Sequence, residues 1–176
     1  MYELHKYEQY FFDHVTINHL ADFVSQYHYP CCLCAPMLGQ ELERRGIKAC
    51  TLDIDRRFEN LRGFHYFDIA RPEWLGETFG IIACDPPFFR VSLDKLFNAV
   101  RLLSRYDYRQ PVLICFLTRR ATSIVGTFSR FGLERIDCPI GYQTVQTSER
   151  NDVSLFGNLG EKAHGRLANR KLAMAY

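Results

Sequence analysis

Apolar residues along this chain follow two spacings that take turns. Short runs rich in apolar residues recur at Tyr29 to Ala35, Ile47 to Asp53, Phe64 to Asp68, Ile81 to Cys84, Val112 to Leu117, Leu133 to Cys138 and Val153 to Phe156, of which Val112 to Leu117 is continuously apolar. Runs this short predict strands, and the continuous apolarity of Val112 to Leu117 predicts one buried on both faces, as in a parallel sheet covered by helices. Between them the apolar positions shift to three- and four-residue intervals. Val15, Leu20, Phe23 and Val24 predict a helix to about Tyr27, capped by Asp13 or Thr16. Met37, Leu38 and Leu42 line a second helix, with Pro36 at its N-terminus and Gly46 beyond its end. Leu93, Leu96, Phe97, Val100 and Leu103 give the clearest amphipathic pattern. A further helix is expected from Thr118 to Phe131, stopped by Gly132, and a short helical connection at Arg71–Trp74. Gln146–Asn151 reads as a polar loop. Strand and helix alternating in this way predict an α/β protein with a doubly wound sheet.

With 176 residues, one domain spanning 1–176 is expected, including an N-terminal helical segment (1–28) and a basic tail (160–176). The tail carries Lys162, Arg166, Arg170 and Lys171 against Glu161, and reads either as a flexible terminus or as a short basic helix on nucleic-acid phosphates. No apolar run reaches membrane-span length and the polar N-terminus lacks a signal-peptide pattern, so a soluble, cytoplasmic protein is expected. Seven cysteines lie mostly inside apolar runs, which argues for reduced core thiols. Cys31-Cys32-Leu33-Cys34 contains a CxxC spacing without a second pair, so core packing is the expected role and no metal site is predicted. A net charge of +2 neither demands nor excludes a nucleic-acid partner.

Chemistry concentrates where strands end. Ile81 to Cys84 is followed by Asp85-Pro86-Pro87-Phe88. Proline cannot donate to a ladder and biases its predecessor to extended geometry, so the strand stops at a stiff corner bearing one carboxylate and one ring. That corner falls at the carboxyl edge of the sheet, where open α/β sheets bind ligands. The second strand ends in Asp53-Ile54-Asp55-Arg56-Arg57-Phe58, with an acid about 20 residues after the first turn, the place that accepts ribose hydroxyls in nucleotide sites. Asp53 is the first candidate and Asp55 the second. The third strand ends in Asp68-Ile69. Upstream, Gln9, Phe11 and Phe12 belong to a segment too aromatic to remain in water.

The tetrapeptide Asp85 to Phe88 resembles the (Asp/Asn/Ser)-Pro-Pro-aromatic motif of S-adenosylmethionine-dependent amino-methyltransferases. The first turn, Cys34-Ala35-Pro36-Met37-Leu38-Gly39, lacks the glycine-rich pattern common in Rossmann-like methyltransferases. A Cys-x-x-x-Pro variant of this turn, an Asp-x-Asp-x-Arg-Phe segment and the DPPF corner together are similar to the N6-adenine-methyltransferase-like family. That family contains elongation factor 1A lysine methyltransferases and zinc-CCHC ribosomal RNA adenine methyltransferases. The resemblance implies a class I fold, with six parallel strands and an antiparallel seventh and helices on both faces. It implies S-adenosyl-L-methionine as cofactor, held by Gln9, Phe11, Phe12, Cys34, Ala35, Pro36, Asp53, Asp55, Asp68 and Ile69. It implies that Asp85, Pro86, Pro87 and Phe88 hold the acceptor amine, which is adenine N6 in RNA or DNA or, alternatively, a protein lysine. A short chain without a recognition domain suggests a protein partner for target choice. A domain that has lost the cofactor and serves as a scaffold is the remaining alternative.

Overall fold

The computed structural model describes residues 2–146 and 148–168. At its centre lies one sheet made of β1 (Cys31–Leu33), β2 (Cys50–Asp53), β3 (Phe64–Tyr66), β4 (Ile82–Cys84), β5 (Val112–Leu117), β6 (Glu134–Ile136) and β7 (Val153–Gly157). The strands are ordered β3-β2-β1-β4-β5-β7-β6. The first five pair in parallel, whereas β7 runs antiparallel to both its neighbours. Six strands therefore share one direction and the seventh opposes them. The order reverses between β1 and β4, a switch point whose carboxyl ends open a crevice.

Helices cover both faces. On one side α1 (His14–Val24), α2 (Pro36–Arg44) and α5 (Glu161–Ala168) pack Ile17, Leu20, Leu38, Leu42 and Leu167 against Cys32, Ala83, Leu113, Cys115 and Leu155. On the other, α3 (Leu93–Leu103) and α4 (Ala121–Thr127) pack Leu96, Val100 and Ile124 against Cys31, Leu33, Ile82, Ile114 and Phe156. Alternate residues of the five inner strands thus serve opposite cores, which is why those strands are buried throughout, whereas the edge strands β3 and β6 are largely exposed. All seven cysteines are free thiols, and only Cys34 is not fully buried. No helix among the described residues is long and apolar enough to cross a membrane.

Several boundaries differ from the sequence-based expectation. Helix α1 ends at Val24 rather than Tyr27, and Asp13 is its cap, accepting from the Thr16 N–H at 2.7 Å. The Thr16 hydroxyl instead accepts from the Gly141 N–H at 2.9 Å. The first strand is shorter than Tyr29 to Ala35 because Tyr29 (φ 45°) and Cys34 (φ 53°) both turn into left-handed conformations. The expected helix 118–131 divides into a 3-10 turn at Thr118–Arg120 and the short α4. Thr122, Ser123, Gly126 and Thr127 are weak helix formers, and Phe128 and Phe131 leave the helix to bury their rings against Phe97. Arg71–Trp74 forms no helix, so the whole β3–β4 crossover is irregular. The tail is helical through Ala168, with Leu167 fully buried and its carbonyl 3.1 Å from His19 Nε2. Arg170 and Lys171 lie outside the described residues.

Candidate active site

The crevice at the carboxyl ends of β1, β2, β3 and β4 opens into a cavity of about 610 Å³. That is within the usual range for small-molecule sites. Every residue singled out from the sequence lines it: Gln9, Phe11, Phe12, Cys34, Ala35, Pro36, Asp53, Asp55, Asp68, Ile69, Asp85, Pro86, Pro87 and Phe88.

The first turn solves a problem that glycine usually solves. Cys34 sits at φ 53°, and its N–H is tied to the Leu52 carbonyl at 2.8 Å. A non-glycine residue in this region costs about 1–2 kcal/mol. The turn delivers Ala35 and Pro36 to the start of α2, whose first turn faces the cavity. The close packing of helix on strand is left to Gly39, where a Cβ would overlap the Thr51 hydroxyl on β2. In glycine-rich turns of this fold the third glycine has that same task. Here it is kept, while the earlier positions are not glycine.

At the end of β2 the two acids have different surroundings. Asp55 is fully engaged: Gln9 Nε2 donates to it at 2.8 Å and Arg57 binds it through Nε at 2.9 Å and NH2 at 2.6 Å. Burial acts upward on its carboxyl, but the bonds from Arg57 and Gln9 hold it below the ordinary carboxylate range. Asp53 is buried, and its Oδ1 accepts the Asp55 N–H at 2.8 Å. A carboxylate offers about four acceptor sites, so Asp53 keeps capacity for a ligand. Burial raises its carboxyl to about 6, with the Asp55 charge adding to the rise. The third strand stops at Tyr66, short of the expected Asp68; Asp68 follows two residues on, its Oδ1 accepting the Ala70 N–H at 2.9 Å, and buried Ile69 adds an apolar wall.

The N-terminal segment is strapped across the mouth. Glu8 Oε2 accepts from the N–H groups of Phe89 at 3.2 Å and Arg90 at 2.8 Å, just beyond the DPPF corner. Phe11 packs edge-on against Phe58, and Phe12 forms a β-bridge with Tyr142, their ring centroids 5.2 Å apart. Gln9 is committed to Asp55 and Arg57.

The corner itself is fixed from three sides. The Asp85 N–H donates to the Leu33 carbonyl at 3.1 Å, Arg120 NH1 donates to the Phe88 carbonyl at 2.9 Å, and Phe88 sets its ring edge-on to Phe116 at 5.7 Å. The Asp85 carboxyl faces the cavity, and Tyr142 donates its hydroxyl to Oδ1 at 2.8 Å. Burial raises the Asp85 carboxyl to about 8, the Tyr142 bond opposes that rise, and the Asp53 charge adds to it. Burial likewise keeps the Tyr142 phenol far above its ordinary value. Sequence reasoning missed Tyr142. It lies in an irregular segment between β6 and β7, and only its aromatic character beside Gly141 hinted at a packed role.

The residues present fit S-adenosylmethionine. Asp53 offers acceptors for a vicinal diol, Asp68 and Ile69 pair an acid with an apolar wall for a purine, and the start of α2 turns its positive dipole end to the cavity.

The chain matches, over residues 3–155, the model of a family described as "Probable N6-adenine methyltransferase". No curated protein sequence matches it. Among solved structures it is similar to magnesium protoporphyrin IX methyltransferase from Synechocystis with bound S-adenosylmethionine, at 12% identity and a TM-score of 0.55, over 81% of this chain and 76% of that one. An S-adenosylmethionine-dependent methyltransferase from Clostridium acetobutylicum shares 10% identity and a TM-score of 0.54, over 80% and 90%. A TehB-like methyltransferase from Corynebacterium glutamicum shares 14% and 0.52, over 78% and 86%. These likenesses show the class I Rossmann-like methyltransferase fold for this chain.

Proposed function

The chain belongs to the N6-adenine methyltransferase family and is an S-adenosylmethionine-dependent methyltransferase; from that premise we propose that its acceptor is the N6 amine of adenine in RNA or DNA. The observation that carries this reading is the Asp85 corner, a carboxyl presented to the cavity by two prolines, with Phe88 beside it and Asp53 across the same crevice.

When bound, S-adenosylmethionine supplies a methyl group already activated by a sulfonium leaving group. Asp53 would hold the ribose hydroxyls, with Asp68 and Ile69 against the adenine and the start of α2 against the amino-acid end. Asp55, Gln9 and Arg57 form a support that keeps the N-terminal strap over the site and fixes the end of β2.

The acceptor amine of adenine is a weak nucleophile because its lone pair is delocalised into the ring. Hydrogen bonds from that amine to the Asp85 carboxyl and the Pro86 carbonyl favour the pyramidal form in which the lone pair is available. Each such bond contributes about 1.5–3 kcal/mol if it tightens toward the transition state. Phe88 provides a face for the base, a contact of about 1–3 kcal/mol. A neutral amine loses a proton on methylation, and Asp85, with a proton affinity raised to about 8, is suited to take it at a carboxyl oxygen. Tyr142 holds Oδ1, which orients the carboxyl toward the acceptor. A site that disfavours the charged form of Asp85 also suits a neutral aromatic amine better than the ammonium of lysine.

Nucleoside analysis after reaction with labelled S-adenosylmethionine tests this reading. Label in N6-methyladenosine or its deoxy form is the expected outcome. Label confined to lysine in the protein fraction would replace adenine with lysine, and absence of cofactor binding at millimolar concentration would leave only a scaffold.

A further inference from the structure

The β3–β4 crossover holds a cluster that the methyl-transfer site does not use. Ligand atoms of Cys50, His65 and Glu77 lie within 4.8 Å of one another. Cys50 opens β2, His65 is central in the edge strand β3, and Glu77 belongs to the crossover. Register explains the convergence. His65 pairs with Leu52, so it shares a sheet face with Leu52 and, by alternation, with Cys50. The crossover then passes that face and brings Glu77 to the same point.

Two further observations bear on this cluster. Glu77 Oε2 is buried and makes no hydrogen bond of ordinary geometry among the described residues, although the Tyr29 hydroxyl stands beside the same carboxylate and has its ionisation opposed by burial and by that carboxylate; a buried acceptor left in that state calls for a partner. The crossover from Phe67 to Ile81 contains no helix, although connections of this length without structure of their own are uncommon in compact domains. Phe67, Ile69 and Phe79 anchor it in the core near its two ends, which leaves the stretch around Glu77 as the part a metal would fasten.

We propose that Cys50, His65 and Glu77 form a structural zinc site that fastens the β3–β4 crossover to the edge of the sheet. A thiolate, an imidazole and a carboxylate are the ligand types zinc takes, and the thiolate argues against magnesium or calcium. One thiolate and one carboxylate balance the two charges of the ion, so a neutral unit results, anchored on the buried Cys50, and Glu77 Oε2 gains its partner. Tetrahedral zinc brings ligand atoms to roughly 3.3–3.8 Å of each other. With every separation within 4.8 Å, the cluster needs a contraction of at most about 1.5 Å, within reach of side-chain rotation at Glu77 and His65. Water completes four-coordination. Binding converts the Cys50 thiol to a thiolate and releases its proton. Asp53 ends the same strand, about 10 Å further along at 3.3 Å per residue, so the ion stands away from the methyl-transfer crevice.

The test uses the full chain, freed of metal by chelation and gel filtration, then titrated with cobalt(II). One equivalent is expected, with thiolate-to-cobalt charge transfer in the near ultraviolet and the visible bands of four-coordinate cobalt. Zinc added afterwards should abolish both, and zinc alone should raise the melting temperature by several degrees. His65→Gln and Glu77→Gln leave the apolar core intact and should each weaken cobalt binding more than about 10-fold, Cys50→Ser removing the charge-transfer band. Cofactor affinity of His65→Gln should match the wild type when the protein is kept folded below its melting range. The proposal is overturned if cobalt gives no thiolate band, or if His65→Gln and Glu77→Gln bind as tightly as the wild type. The latter result would assign the metal to other thiols.

Discussion

Asp85→Asn is the substitution whose effect can be worked furthest from the structure. The change keeps shape and lets the Asn Oδ1 accept the Tyr142 hydroxyl, which lies 2.8 Å away in the wild type. It removes the ionisation. In the unfolded chain Asp85 titrates near 3.9, whereas burial raises the folded value to about 8. Between those pH values the folded state keeps a proton that the unfolded state has lost. The contribution of Asp85 to stability is therefore greatest below about pH 4, declines as pH rises through the window, and levels off above about 8. From pH 6 to 8 the decline is about 2 kcal/mol at most, because one bound proton is worth about 1.4 kcal/mol per pH unit until the folded group begins to titrate. At the size of this chain that corresponds to about 4–8 °C in melting temperature. Asp53 adds a similar decline, but only up to its value of about 6. Thermal denaturation of both proteins at pH 6, 7 and 8, with cofactor absent, should show the wild type losing stability relative to Asp85→Asn by that amount. A constant difference across the three pH values would refute a half-buried, proton-retaining Asp85.

Four other outcomes follow from the same structure. Tyr142→Phe removes a bond that favours the Asp85 carboxylate, so the acid limb of the kcat profile should move to higher pH and transfer should fall by about 10-fold, a single charged hydrogen bond's worth; an unmoved limb would disconnect the phenol from Asp85. Asp53→Ala should weaken cofactor binding by titration calorimetry while Asp55→Asn acts mainly on stability through the Gln9–Arg57 support, and equal effects on affinity would contradict the division of roles. Gly39→Ala places a Cβ on the Thr51 hydroxyl and should lower stability by about 1–3 kcal/mol in urea denaturation, with no loss expected if α2 stands off the sheet. Cys34→Val puts a β-branched residue at φ 53° and should be the more damaging change at the first turn, whereas Cys34→Gly should fold readily; similar melting temperatures for the two would argue against the left-handed turn.

The strand pattern foretold the sheet because its five inner strands are buried on both faces, and a run such as Val112–Leu117 admits few other homes. The acids at 53, 68 and 85 could be recognised because strand ends are also sequence positions, and a doubly wound sheet brings those ends to one edge. Helix ends were less legible. The segment 118–131 carries enough apolar residues for a long helix, yet Phe128 and Phe131 gain more by turning into the core beside Phe97 than by extending α4. Arg71–Trp74 read as helical from composition, but the crossover follows the sheet edge without helical hydrogen bonds. Contacts made across long separations left no local trace. Tyr142 meets Asp85 across 57 residues, and Cys50, His65 and Glu77 converge only through strand register and the path of the crossover. The non-glycine first turn shows the reverse case: the sequence revealed the missing glycines, and the structure shows Cys34 adopting the left-handed conformation while Gly39 keeps the close approach.

The most direct measurement is methyl transfer from labelled S-adenosylmethionine into adenine-containing RNA and DNA, resolved to the nucleoside, with wild type and Asp85→Ala compared at equal cofactor occupancy. Label in N6-methylated adenine from the wild type, and none from Asp85→Ala despite retained cofactor binding, is the expected result. Transfer by Asp85→Ala at the wild-type rate would contradict the account, whatever the acceptor proves to be.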